Sequence, residues 1–203
     1  MIALNIFSKR DNFIGINTKV FYPSIDMEGE ISYGIDGNGV ILVTNSLDLQ
    51  KSELPNLPKF GMSMALPKRF DNFTWYGRGP HESYSDRKSS AKIDLFSGKV
   101  SDQYHPYIRP QENGNRTDIR WLTLTDPYGK GIIIETQEVF EFSAHHQKNE
   151  DFDGGNRKSQ THTTDIIKRP IVNLNIDYKQ MGVGGDNSWG MLPHKKYQIN
   201  PKD

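Results

Sequence analysis

The chain has 203 residues, with 25 lysines and arginines balanced by 25 aspartates and glutamates, and no cysteine. That length suits one large domain with its own core, read here as a single unit spanning 1–203. Zero net charge, with basic residues scattered among carboxylates, excludes a nucleic-acid-binding surface; the lack of cysteine excludes a disulfide scaffold, a thiolate metal site and thiol catalysis.

Between Met1 and Glu30 the charges of Lys9, Arg10, Asp11, Asp26, Glu28 and Glu30 break up any signal-peptide core, and Met1 falls abruptly inside strand-like material. No apolar run approaches the ~20 residues of a membrane span. The sequence therefore reads as soluble, with no membrane partner, and as cytoplasmic or periplasmic according to what precedes Met1.

Short apolar runs bounded by Gly, Asn or Asp follow at Val40 to Val43 and Phe73 to Tyr76. Ile119 to Thr125 alternates, and Asp126-Pro127-Tyr128-Gly129-Lys130-Gly131 carries turn chemistry before Ile132, Ile133 and Ile134, which predicts a hairpin. Val139 to Phe142 is another short run, and His146 to Thr164, with Gly154-Gly155, reads as a long exposed connection. Ile171 to Tyr178 is the strongest strand, with Val172, Leu174, Ile176 and Tyr178 facing a core and Asn173, Asn175 and Asp177 on a wet face. No stretch keeps helical spacing over eleven residues. The pattern is all-β, an antiparallel sandwich or barrel.

Three strings could carry chemistry. Met181-Gly182-Val183-Gly184-Gly185-Asp186-Asn187-Ser188-Trp189-Gly190 places a Trp among glycines and small polar residues. Such a ring can stack on the C–H face of a pyranose while Asp186 and Asn187 meet hydroxyls, or it can plug the end of the fold. Trp75-Tyr76-Gly77-Arg78-Gly79-Pro80-His81-Glu82 runs from a strand into a loop where His81 and Glu82 could do acid/base work, although neighbours on an extended strand point to opposite faces. The alternative is a strand end with an Arg78 or Arg87 ion pair. Tyr107-Ile108-Arg109-Pro110-Gln111-Glu112-Asn113-Gly114-Asn115-Arg116 crowds groups that suit diols, or that neutralise one another in a loop network. His145-His146, His162 and His194 lack metal-site spacing, and the glycine runs lack the helix a nucleotide site needs.

Taken in chain order, Trp75 to Glu82, then Tyr107 to Gly114, then Gly182 to Trp189, the three strings resemble the C-terminal "small chain" domain of the large bacterial β-galactosidases of glycoside hydrolase family two, over about 57–197. The resemblance implies a galactose-mutarotase-like antiparallel supersandwich. It also implies that the paired glutamates and the magnesium ligands belong to a (β/α)₈ barrel elsewhere, so this chain holds no catalytic group and no cofactor and is inactive alone. A retaining glycosidase needs two carboxyls ~5–5.5 Å apart, and no acidic pair here has a motif for it.

Further implications concern the site and the chain's company. Trp189 would line the active-site mouth and stack on a β-galactoside, with Asp186 and Asn187 beside it; His81, Glu82, Glu112, Asn113 and Arg116 are secondary substrate-binding candidates. Family domains begin with further strands before the region seen here and close with one after Tyr197. Unpaired sheet edges would then favour a homo-oligomer beside the parent enzyme's remaining domains. The alternatives are a free-standing mutarotase-like epimerase built on His81 and Glu82, and a purely structural or oligomerising domain with Trp189 buried.

Overall fold

The structure, a computed structural model, describes residues 2–10, 12–23, 25–49, 54–153, 155, 161–187 and 189–202. Met1, Gly154, residues 156–160 of the expected connection and Ser188 of the glycine-rich string lie outside the described residues. The described chain is all-β and antiparallel, as expected. No helix in it is long and apolar enough to cross a membrane. Contacts divide it into two compact units, 1–56 with 200–203, and 57–199.

The first unit is a meander of four neighbouring strands, β1 (Ile2–Arg10), β2 (Phe13–Tyr22), β3 (Met27–Asp36) and β4 (Ile41–Leu47). The β3–β4 turn follows from its sequence. Asp36 Oδ1 accepts the N–H groups of Asn38 (2.9 Å) and Val40 (3.0 Å), and Gly39 takes a φ of 90°. The run expected from Val40 to Val43 lies in β4 and its lead-in, with Ile41 and Leu42 more than half exposed.

The second unit holds β5 (Lys59–Pro67), β6 (Asn72–Gly79), β7 (Lys92–Lys99), β8 (Arg116–Thr125), β9 (Gly131–His145) and β10 (Ile171–Gln180), in the sheet order β5-β10-β9-β8-β6-β7. Alternation puts Phe73 and Trp75 of β6, Leu122 and Leu124 of β8, Phe140 and Phe142 of β9, and Val172 and Leu174 of β10 into one buried cluster. Phe73 stacks on Trp75 at 5.0 Å between centroids, and Phe142 meets both rings edge-on.

The predicted hairpin joins β8 to β9. Asp126 Oδ1 accepts the N–H groups of Tyr128 (2.9 Å) and Lys130 (3.0 Å), while Gly129 supplies a φ of 79° that an L side chain would strain.

Three expectations are corrected. Tyr178, expected on the core side of β10, is 52% exposed, at the point where the register against β5 shifts between Asp177 and Lys179. The second face of β10 is not wet: Asn175 and Asp177 are 1% and 3% exposed. Asn175 is tied to Ser63 on β5 (2.5 Å), Ser143 on β9 (2.9 Å) and Asn149 (3.0 Å), so its polar groups are satisfied without water. The connection after β9 begins buried, because His146 Nδ1 meets the Ile171 carbonyl (2.7 Å), its Nε2 meets Asp71 (3.0 Å), and Phe152 packs beside Tyr104 and His145.

Candidate functional site

The three strings, far apart in sequence, meet in the second unit. Beyond β6, Glu82 Oε2 accepts the N–H of Gly114 (2.8 Å), and Oε1 takes Arg87 Nη2 (2.5 Å) and the Tyr107 hydroxyl. Burial works to raise this carboxyl, but Gly114, Tyr107 and Arg87 outweigh it and hold it below the usual range. Glu82 is thus kept ionised and is unsuited to give up a proton near neutrality. Ser83 joins the same strings, its N–H donating to the Asn115 carbonyl (2.9 Å) and its carbonyl accepting from Asn115 Nδ2 (3.0 Å).

Gly114 is what lets the second string bend into this contact. Its φ is 75°, and a Cβ there would lie 2.5 Å from the His145 ring and 3.0 Å from the Gln103 carbonyl. His145 Nε2 in turn meets the Asn113 carbonyl (2.9 Å), and burial pushes that imidazole down to about 4, so it stays neutral. Asn113 Oδ1 accepts the His105 N–H (3.1 Å) and Nδ2 donates to the Gln111 carbonyl (3.0 Å). Arg116, 4% exposed, donates through Nη1 to the carbonyls of Gly114 (2.8 Å) and Asn115 (3.2 Å) and through Nη2 to Gln103. Glu112 lies 4.0 Å from Lys59 Nζ. The second string is therefore largely a self-satisfying network.

The ion pairs expected at the strand end both form, Arg87 with Glu82 and Arg78 with Asp118 (2.5 Å), the latter joined by Lys88 (3.0 Å). His81 meets only Ser90 Oγ (2.9 Å) and is exposed. Despite adjacency in the chain, His81 and Glu82 line one cleft of about 360 Å³, together with Gln103, His105 and Arg116.

The third string docks just past the end of the first, on Asp86, whose carboxylate accepts the N–H groups of Val183 (3.2 Å) and Gly184 (2.8 Å). The glycines follow from close approach: a Cβ on Gly182 would sit 2.6 Å from Asp86, and one on Gly185 2.2 Å from the Met191 carbonyl. Asp186 meets His194 Nε2 (2.7 Å), and Asn187 Oδ1 accepts the Trp189 N–H (2.8 Å), so both side chains hold the loop. Trp189 itself is 91% exposed.

Sequence reasoning passed over a group of ionisable residues beside this network. Glu141 sits between Asn115, whose Nδ2 donates to it (2.6 Å), and Asp177, its cross-strand neighbour on β10. Burial raises Glu141 to about 7 and raises Asp177 too, even though Lys59 Nζ lies 3.5 Å from the latter. The available signal was a carboxylate inside the apolar run Val139 to Phe142. Among the described residues no three His, Asp or Glu side chains gather as metal ligands would, and His145, His146, His162 and His194 stay apart in separate contacts.

Known proteins match most of this chain in sequence. The family model of the beta galactosidase small chain covers residues 5–203, which takes in β2 to β4 as well as the region from Leu57 onward. The chain is 37% identical over 169 residues to a β-galactosidase of Priestia megaterium, covering 83% of this chain and 16% of that protein. It is 32% identical over 182 residues to one from Halalkalibacterium halodurans, covering 88% and 18%, and 32% identical over 179 residues to one from Streptococcus thermophilus, covering 88% and 17%. It spans roughly a sixth of the length of these relatives. By the family model over residues 5–203 and the relatives at 32–37% identity, the chain belongs to the β-galactosidase small-chain family.

Proposed function

We propose that this chain works as the C-terminal part of a retaining β-galactosidase, lining the mouth of the active site and presenting Trp189 to the substrate. Trp189 carries the reading, because a ring 91% exposed on a loop pinned at Asp86 and Asn187 is presented and held rather than packed. A structural plug would bury the ring. Hydrolysis of terminal β-galactosides is then supplied by residues of the parent enzyme's other domains, with magnesium held there. Three of this chain's partly buried carboxylates are occupied: Glu82 by three donors, Glu141 by Asn115, and Asp118 by Arg78 and Lys88.

The test compares the chain with the full enzyme. Trp189→Ala in the complete β-galactosidase should raise KM for a nitrophenyl galactoside about fivefold, the equivalent of ~1 kcal/mol of stacking, and leave the melting temperature unchanged. The isolated chain should show no turnover. An unchanged KM with a lowered melting temperature, or hydrolysis by the isolated chain that is lost in Glu82→Gln or Glu141→Gln, would refute the assignment.

A further inference from the structure

Two Asn-Gly pairs occur in the sequence, Asn38-Gly39 and Asn113-Gly114. Such a pair carries chemistry of its own. The glycine nitrogen can attack the asparagine carboxamide, because no side chain on the glycine stands in the way, provided that the carboxamide is free to turn and the peptide N–H can leave its hydrogen bond. In sequence the two pairs are equivalent, and the fold separates them.

Asn113-Gly114 is closed at every point the reaction needs. Asn113 is 2% exposed, its Oδ1 accepts the His105 N–H (3.1 Å) and its Nδ2 donates to the Gln111 carbonyl (3.0 Å). The Gly114 N–H donates to the Glu82 carboxylate (2.8 Å), whose charge opposes loss of the amide proton beside it. The His145 ring and the Gln103 carbonyl crowd the Gly114 Cα and leave the peptide no room to rotate.

Asn38-Gly39 is the reverse. It forms the tip of the β3–β4 turn, where Gly37, Asn38, Gly39 and Val40 are all exposed. The backbone N–H of Asn38 is tied to Asp36 Oδ1 (2.9 Å), but no hydrogen bond holds its carboxamide among the described residues. A Cβ on Gly39 would meet nothing within 4 Å. The Gly39 N–H reaches the Asp36 carbonyl at 3.2 Å, the long end of the normal range, and an exposed bond at a turn tip opens readily.

We propose that Asn38 is a site of spontaneous covalent modification, converting to a mixture of aspartate and its β-linked isomer while Asn113 is protected, and that the change loosens the turn end of the β3–β4 pairing. The Gly39 nitrogen bonds to Asn38 Cγ, the Cγ–Nδ2 bond breaks, and the proton displaced from Gly39 leaves with that nitrogen as ammonia. Water then opens the cyclic imide. Attack at Cγ gives aspartate, and attack at the main-chain carbonyl gives the β-linked form; nothing is oxidised or reduced. The new carboxylate stands beside Asp36 and is repelled by it. The β-linked product also adds a carbon to the main chain of a turn whose length sets the pairing of Ile35 with Ile41.

Incubating the 203-residue chain in mildly alkaline buffer, with and without urea, and mapping its peptides by mass spectrometry tests this. In buffer, amide-to-acid conversion at Asn38 should run at least about tenfold faster than at Asn113, and in urea the two should run alike, because unfolding removes the protection. Asn38→Ser should abolish the acid gained in the peptide that carries the turn. In the converted chain the β3 and β4 amides next to the turn should exchange hydrogen faster, with those of the β8–β9 turn unchanged. Equal rates at the two pairs in buffer, an Asn38 that converts only in urea, or acid still gained in that peptide of Asn38→Ser would overturn the assignment. Unaltered exchange beside the turn in the converted chain would overturn the loosening.

Discussion

Replacing Glu141 by Gln should stabilise the protein, and only above a definite pH. Burial, the largest influence, raises this carboxyl from 4.5 to about 7; Asn115 and the Gln180 backbone oppose the rise, and Asp177 adds to it. Between those two values the native state holds a proton that the unfolded chain has released. Stability therefore falls as pH rises from about 4.5 to about 7 and stays low above. The full displacement corresponds to roughly 3 kcal/mol of native-state destabilisation at the plateau. Gln is nearly isosteric, keeps an oxygen for Asn115 Nδ2 and carries no charge to desolvate.

His145 acts in the opposite sense, because its imidazole, pushed down to about 4, stays neutral while the unfolded chain's is protonated below about 6.5. Its contribution is the same in both proteins and cancels in the difference. Urea titrations of wild type and Glu141→Gln from pH 4 to 8 should coincide at pH 4 and diverge to about 2–3 kcal/mol in favour of the variant by pH 8. A variant that is less stable at pH 8, or a difference that does not change with pH, would refute the desolvation argument.

Two further substitutions test the loops that build the site. Gly114→Ala forces a side chain into a φ of 75° and within 2.5 Å of His145, and should cost about 2–4 kcal/mol by urea titration while shifting the His145 ring resonances. Asp126→Ala removes the acceptor of two backbone N–H groups in the β8–β9 turn and should lower stability by ~1–2 kcal/mol; amide hydrogen exchange at Tyr128 and Lys130 should accelerate while the site signals stay in place.

How much of this was readable before folding depends on the range of the forces involved. The Asp126 to Gly131 turn and the core-facing alternation of Val172 and Leu174 in β10 are local, set by backbone preferences within a few positions, and the sequence determined them, whereas it left Trp189 open between a presented ring and a plug until Asp86, nearly a hundred residues away, pinned its loop. The three strings also sufficed for the family, because their residue types hold one network whose members are invisible to one another along the chain. What only the tertiary structure decided is who is desolvated and by whom. Asn175 and Asp177 occupy alternate positions that a half-buried strand would wet, yet Ser63, Ser143 and Lys59 arrive from other strands to cover them. Asp186 and Asn187 look like hydroxyl-binding groups until His194 and the Trp189 N–H take them up. Glu141 acquires its displaced pKa from burial and from neighbours more than twenty residues away, and Arg116, pushed down by burial to about 10, is held up against that by Glu82, more than thirty residues away. Hydration free energy depends on the whole surrounding volume, and no sequence period encodes it.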